Sequence, residues 1–132
     1  MIGLVQAAEA CWTGTFGNYS TTANFENPAG QAVLVTVNDG CGISNTSGVG
    51  GNSVTLYVSE YMGNDGSIIP YNSSTLNQTF SHEIGHVLGA TDQYVGAGTT
   101  SQPNNIMGSV GASATPQGST IQQILIYNGA TP

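Results

Sequence analysis

Apolar residues recur at helical spacing near the start of the chain, where Leu4, Val5, Ala8, Cys11 and Trp12 form one stripe within residues 2–12. The pattern predicts a short helix whose stripe packs onto a sheet. After a polar stretch at 13–30, the β-branched run AVLVTV at 32–37 predicts a well-buried strand, closed by the turn signal Asn38-Asp39-Gly40. In SVTLYVSEY, 53–61, Val54, Leu56 and Val58 alternate with Thr55, Tyr57 and Ser59, so one face of this strand meets the core. The Gly/Ser/Asn-rich residues 41–51 and the segment GNDGSIIPYN read as loops.

The strongest helical period follows, with Leu76, Phe80, Ile84, Val87 and Leu88 on one stripe, N-cap candidates at Ser73, Ser74 and Thr75, and a stop at Gly89. Residues 96–118 are irregular in composition apart from Ile106-Met107. STIQQILIYNG then predicts a last helix, with Ser119 and Gln122 at capping-box spacing and Gly129 at its end. These elements predict an α+β fold with one domain over 1–132. A mostly antiparallel or mixed sheet would pack on the N-terminal and histidine-bearing helices in an upper part, about 1–89, above a loop-rich lower part, about 90–132, that ends in the last helix.

Charge sharpens this picture. The 132 residues contain no Lys or Arg and seven acids, a formal charge of −7. This argues against nucleic acids and anionic membrane surfaces as partners, because both are bound through cationic side chains. With 5% charged and 39% hydrophobic residues, the chain can build a core but must be kept soluble by neutral polar groups. No apolar run reaches the ~18–20 residues of a membrane span. MIGLVQAAEAC lacks a basic start and is too short and interrupted for a signal peptide. Cys11 and Cys41 fit one disulfide, with two buried free thiols as the alternative.

The chemistry concentrates in TFSHEIGHVLGATDQY, which holds both histidines. Four residues apart on a helix, His82 and His86 lie about 40° from each other around the axis and aim at one point. Glu83, displaced by about 100°, sits beside a metal held by that pair and within reach of its water. A catalytic zinc takes three protein ligands and keeps a fourth position for water. On a continuing helix Asp92 would be turned roughly 240° from His86, out of reach. Gly89 can end the helix in a left-handed conformation and return Asp92 to the metal as the third ligand.

HEIGHVLGATD matches HExxHxxGxx followed by His or Asp, and the sequence here resembles the metzincin metallopeptidases, most closely the snapalysin-type small neutral proteases. The last helix is also similar to that of matrixin catalytic domains. The resemblance implies a secreted zinc endopeptidase acting on protein or peptide substrates, its export signal removed or lying outside these residues. Zinc would be held by His82, His86 and Asp92, with Glu83 passing a proton from water to the leaving amine. It implies a Met-turn at Asn105-Ile106-Met107-Gly108, with Met107 beneath the metal, and leaves Tyr94 a role in the transition state or in packing. Ser109 stands where some metzincins carry a tyrosine, and these residues start almost in the first helix, where metzincins usually begin with a strand. Substrate would add to strand 53–61 as an exposed edge, and the loop after Met107 would line the primed-side pocket.

The rival reading is a non-catalytic surface or assembly protein that retains such a zinc-binding domain; a purely structural zinc site gives Glu83 no purpose. Calcium is a weaker second cofactor, since Asn38-Asp39-Gly40 and Asn64-Asp65-Gly66 fit plain turns better than calcium loops.

Overall fold

In a computed structural model of the chain, residues 2–25, 33–41, 43–62, 67–92, 105–108 and 114–129 are described. The elements are α1 (Ile2–Cys11), β1 (Gly14–Phe16), β2 (Tyr19–Thr21), β3 (Leu34–Cys41), β4 (Asn45–Thr46), β5 (Ser53–Met62), β6 (Ser67–Pro70), α2 (Ser73–Leu88) and α3 (Gly118–Tyr127). The fold is α+β. β1 and β2 form a separate antiparallel hairpin within the polar stretch 13–30.

The main sheet is mixed and is built around β5. β3 pairs with it in parallel, whereas β4 and β6 pair with it antiparallel. Ser59 pairs with both Cys41 of β3 and Pro70 of β6, so these two strands lie on opposite sides of β5. The expectation that residues 53–61 form the exposed edge is therefore corrected: β5 is the interior strand. Its second side is covered by two- and four-residue strands drawn from segments that read as loops.

β3 is also not the buried strand its composition suggests. It borders the sheet, leaving Leu34 and Val37 exposed, and it continues through Asn38-Asp39-Gly40 with a break in register between Asn38 and Cys41. Where β3 bulges, the burial alternation of β5 changes phase. Val54 and Leu56 are buried as expected, but the next buried position is Ser59 rather than Val58.

α2 carries the core across the molecule. Phe80 and Ile84 are buried, with Leu76, Val87 and Leu88 packed beside them. The cap is Asn72 rather than the serines that follow it; its side chain accepts from the Thr75 N–H at 2.8 Å. α1 packs chiefly on α2 instead of on the sheet. Trp12, buried at the end of α1, donates its indole N–H to the Ser81 carbonyl at 3.0 Å. The Cys11 thiol is free and meets the Ser81 side chain, which corrects the expected bridge to Cys41. Its position on the face of α1 toward α2 engages the sulfur within the helix pair, and burial pushes the thiol up to about 11.

α3 begins at Gly118, one residue before the expected capping serine. Gln117 is its N-cap, and the Thr120 hydroxyl accepts from the Gln117 N–H at 3.3 Å. Among the described residues no helix is long and apolar enough to cross a membrane.

Candidate metal centre

His82 and His86 stand on consecutive turns of α2, on the side away from Phe80 and Ile84. His82 Nδ1 lies 2.7 Å from the Ile106 carbonyl, and His86 Nδ1 lies 2.9 Å from the Ala90 carbonyl. A carbonyl oxygen only accepts, so both Nδ1 atoms carry hydrogen, and in the neutral rings both Nε2 atoms are bare. Those two Nε2 atoms are 3.2 Å apart.

Asp92 completes the group. Its Oδ1 is 3.1 Å from each of the two Nε2 atoms. Gly89 makes this possible as the sequence suggested: it ends α2 at φ 125°, and its N–H and that of Ala90 both return to the Gly85 carbonyl, at 3.1 and 2.9 Å. Two nitrogen lone pairs and a carboxylate oxygen thus converge at separations of 3.1–3.2 Å. Tetrahedral ligands at zinc distances of 2.0–2.1 Å stand about 3.3–3.4 Å apart, so the three atoms fit a zinc ion closely. While both rings are neutral, the two bare Nε2 atoms and the carboxylate oxygen repel one another, which a bound cation would relieve. Asp92 is 42% exposed and the histidines 12–15%, so the site opens to solvent on the aspartate side.

Glu83 is 6% exposed. A carboxylate oxygen of Glu83 lies no more than 4.8 Å from a ring nitrogen of each histidine, a reach suited to one intervening water. Burial pushes its carboxyl above the ordinary range. The Thr46 hydroxyl, donating to Oε2 at 2.5 Å, and then the two histidines pull it back, while Asp92 pushes the same way as burial. Thr46 was not singled out in the sequence, because one threonine in a segment rich in Ser, Thr and Asn carries no signal. Only its place on β4, beside α2, reveals it.

Met107 is fully buried in the turn 105–108. Asn105 ties that turn: its Oδ1 accepts from the Met107 N–H at 3.0 Å and its carbonyl from the Gly108 N–H at 2.9 Å. The Ile106 carbonyl that orients His82 belongs to the same turn. Gly85, between the histidines, admits the thioether; a Cβ there would collide with the Met107 sulfur and come within 2.8 Å of the Trp12 ring.

Tyr94, Asn64-Asp65-Gly66 and Ser109 lie outside the described residues, as do residues 109–113 of the segment expected to form the primed-side pocket. Asn38-Asp39-Gly40 lies within β3 rather than in a free turn. An apolar cavity of about 300 Å³ between α1, the sheet and the first half of α2, lined by Leu4, Leu56 and Leu76 among others, shares no residue with the metal centre. Comparisons with protein-family models, curated proteins and solved structures found no match.

Proposed function

We propose that this chain is a secreted, zinc-dependent endopeptidase of the metzincin kind. The observation that carries the reading is the convergence of His82 Nε2, His86 Nε2 and Asp92 Oδ1 at 3.1–3.2 Å, with both imidazole tautomers set by backbone carbonyls. Glu83 beside that triangle gives it a base, which a purely structural site would not need.

A zinc ion bound by the three residues would serve as a Lewis acid toward a water and the scissile carbonyl. Glu83 takes the proton of the attacking water and delivers it to the leaving amine. Thr46 engages Oε2, which leaves Oε1 to carry that proton. The low exposure of Glu83 keeps bulk water from competing for it.

β4 takes over the docking role that the sequence assigned to β5. Thr46 joins this short strand directly to Glu83, so an extended peptide adding along β4 would run past the metal centre. With no Lys or Arg in the chain, acidic substrate side chains find no cationic partner.

Metal analysis together with a peptide-cleavage assay on the wild type and Glu83→Ala tests the reading. Stoichiometric zinc in both proteins is expected, with cleavage only by the wild type and a loss of about 10²–10⁴-fold in the variant. Full zinc without cleavage by the wild type would instead support the non-catalytic binding protein.

A further inference from the structure

We infer that α3 acts as a splint for the third metal ligand, with Gln123 as a positioning residue for Asp92. The inference rests on the metal-site reading above and concerns how that site is held complete.

The first two ligands are built into α2, but Asp92 follows a segment without regular structure and is itself exposed. The segment meets α3 at three successive points. The Asn128 side-chain amide donates to the Leu88 carbonyl at 2.8 Å and to the Ile124 carbonyl of α3 at 2.7 Å, bridging the ends of the two helices. The Tyr127 ring lies against Gly89 so closely that a Cβ on the glycine would approach its carbons to 2.7–2.9 Å. Gln123 then holds Thr91 from both sides of its amide: Oε1 accepts from the Thr91 N–H at 3.0 Å, and Nε2 donates to the Thr91 hydroxyl at 2.9 Å.

This two-point clasp fixes both the backbone and the side chain of the residue preceding the ligand. Ala90, on the other side of Thr91, is held by α2 through its N–H to Gly85 and its carbonyl to His86. The Asp92 carboxylate therefore extends from a backbone pinned by two helices, and its position relative to the imidazoles depends on both. Outer contacts of this kind that orient a ligand are worth about 10–100-fold in metal affinity. Because the clasp is exposed to solvent, the lower end applies.

The test is a double-mutant cycle read as zinc affinity, by competition with a chromophoric chelator, alongside urea unfolding of the zinc-free proteins. Gln123→Ala should weaken zinc binding about 10-fold, whereas in an Asp92→Ala background the same change should have no further effect. Thr91→Ala, which keeps the backbone N–H, should show a smaller loss. If Gln123→Ala fails to fold, Gln123→Met preserves the stem and is expected to show the same deficit. Wild-type affinity in the Gln123 variants would overturn the inference, as would an equal loss with and without Asp92, the mark of a purely structural contact. Failure of the wild type to bind zinc at all would instead overturn the metal centre itself. Wild-type affinity in Asp92→Ala would remove Asp92 as a ligand and the splint with it.

Discussion

Thr46 and Cys11 show how burial decides what a polar side chain does. Glu83 is removed from solvent, so its ionised form depends on the few groups that face it, and Thr46 supplies the shortest of these contacts. A hydrogen bond to a charged group contributes about 1.5–3 kcal/mol. Thr46→Val is therefore expected to lower kcat/KM for peptide cleavage by about 10-fold or more with zinc content unchanged, and Thr46→Ser to recover most of it. Equal activity in Thr46→Val would detach the threonine from the base. Cys11 responds to burial in the opposite chemical sense, because the neutral thiol is the favoured form. Its pKa, raised to about 11 in the folded chain, exceeds the unfolded value of about 8.5. The stability this thiol contributes is thus present below about pH 8.5 and is lost as pH rises through about 11. Iodoacetamide should label Cys11 slowly in the native protein at neutral pH and at an ordinary thiol rate once urea unfolds it. A label that never appears without prior reduction would mean that the cysteine is bridged after all.

α2 joins its two faces through a single glycine. Gly85 has Met107 and Trp12 against it, so Gly85→Ala forces a methyl into an occupied space and should destabilise the zinc-free protein by about 1–3 kcal/mol. Met107→Ala alone removes a buried side chain, at about 2–5 kcal/mol, but should cost less when added to Gly85→Ala, because it vacates the same space. Urea unfolding of the four proteins measures that non-additivity. α2 was also the most legible element, since sixteen residues carry several full helical periods and Gly89 marks the stop. The same stretch singled out His82, Glu83 and His86, because side chains on one helix have their relative directions set by 3.6 residues per turn, and Asp92 through the helix stop at Gly89. β4 and β6 were illegible for the converse reason: two and four residues are too few to show a period of two. Strand order was illegible as well. Alternation tells which face of β5 is buried but not what pairs with its edges, so the interior strand was read as exposed and the border strand β3 as buried. Thr46, Gln123 and the carbonyl of Ile106 follow from packing between distant segments, which no local pattern encodes.

Absence of Lys and Arg should make the stability of this protein depend on ions. A formal charge of −7 without a cationic side chain means that carboxylates in this chain repel one another with no Lys or Arg to offset them. Glu83 and Asp92 are brought to the same few ångströms around the histidines, and a divalent cation would supply there the positive charge that the composition withholds. Zinc binding only the folded chain stabilises it by about 2.7 kcal/mol at a free concentration 100 times Kd. For a domain of this size, removing zinc with a chelator should then lower Tm by about 10 °C, and Asp92→Ala should abolish most of that difference. Salt separates this local effect from the global one. Raising ionic strength from about 0.01 to about 0.15 M shortens the screening length from about 30 to about 8 Å. Since there are no Lys or Arg ion pairs to weaken, the zinc-free protein should gain stability with salt, and the zinc-loaded protein should gain less because the repulsion between Glu83 and Asp92 is already neutralised. Calorimetry of both forms across that range decides the point: a Tm that falls with added salt would show that attractive charge pairs, rather than carboxylate repulsion, dominate this fold.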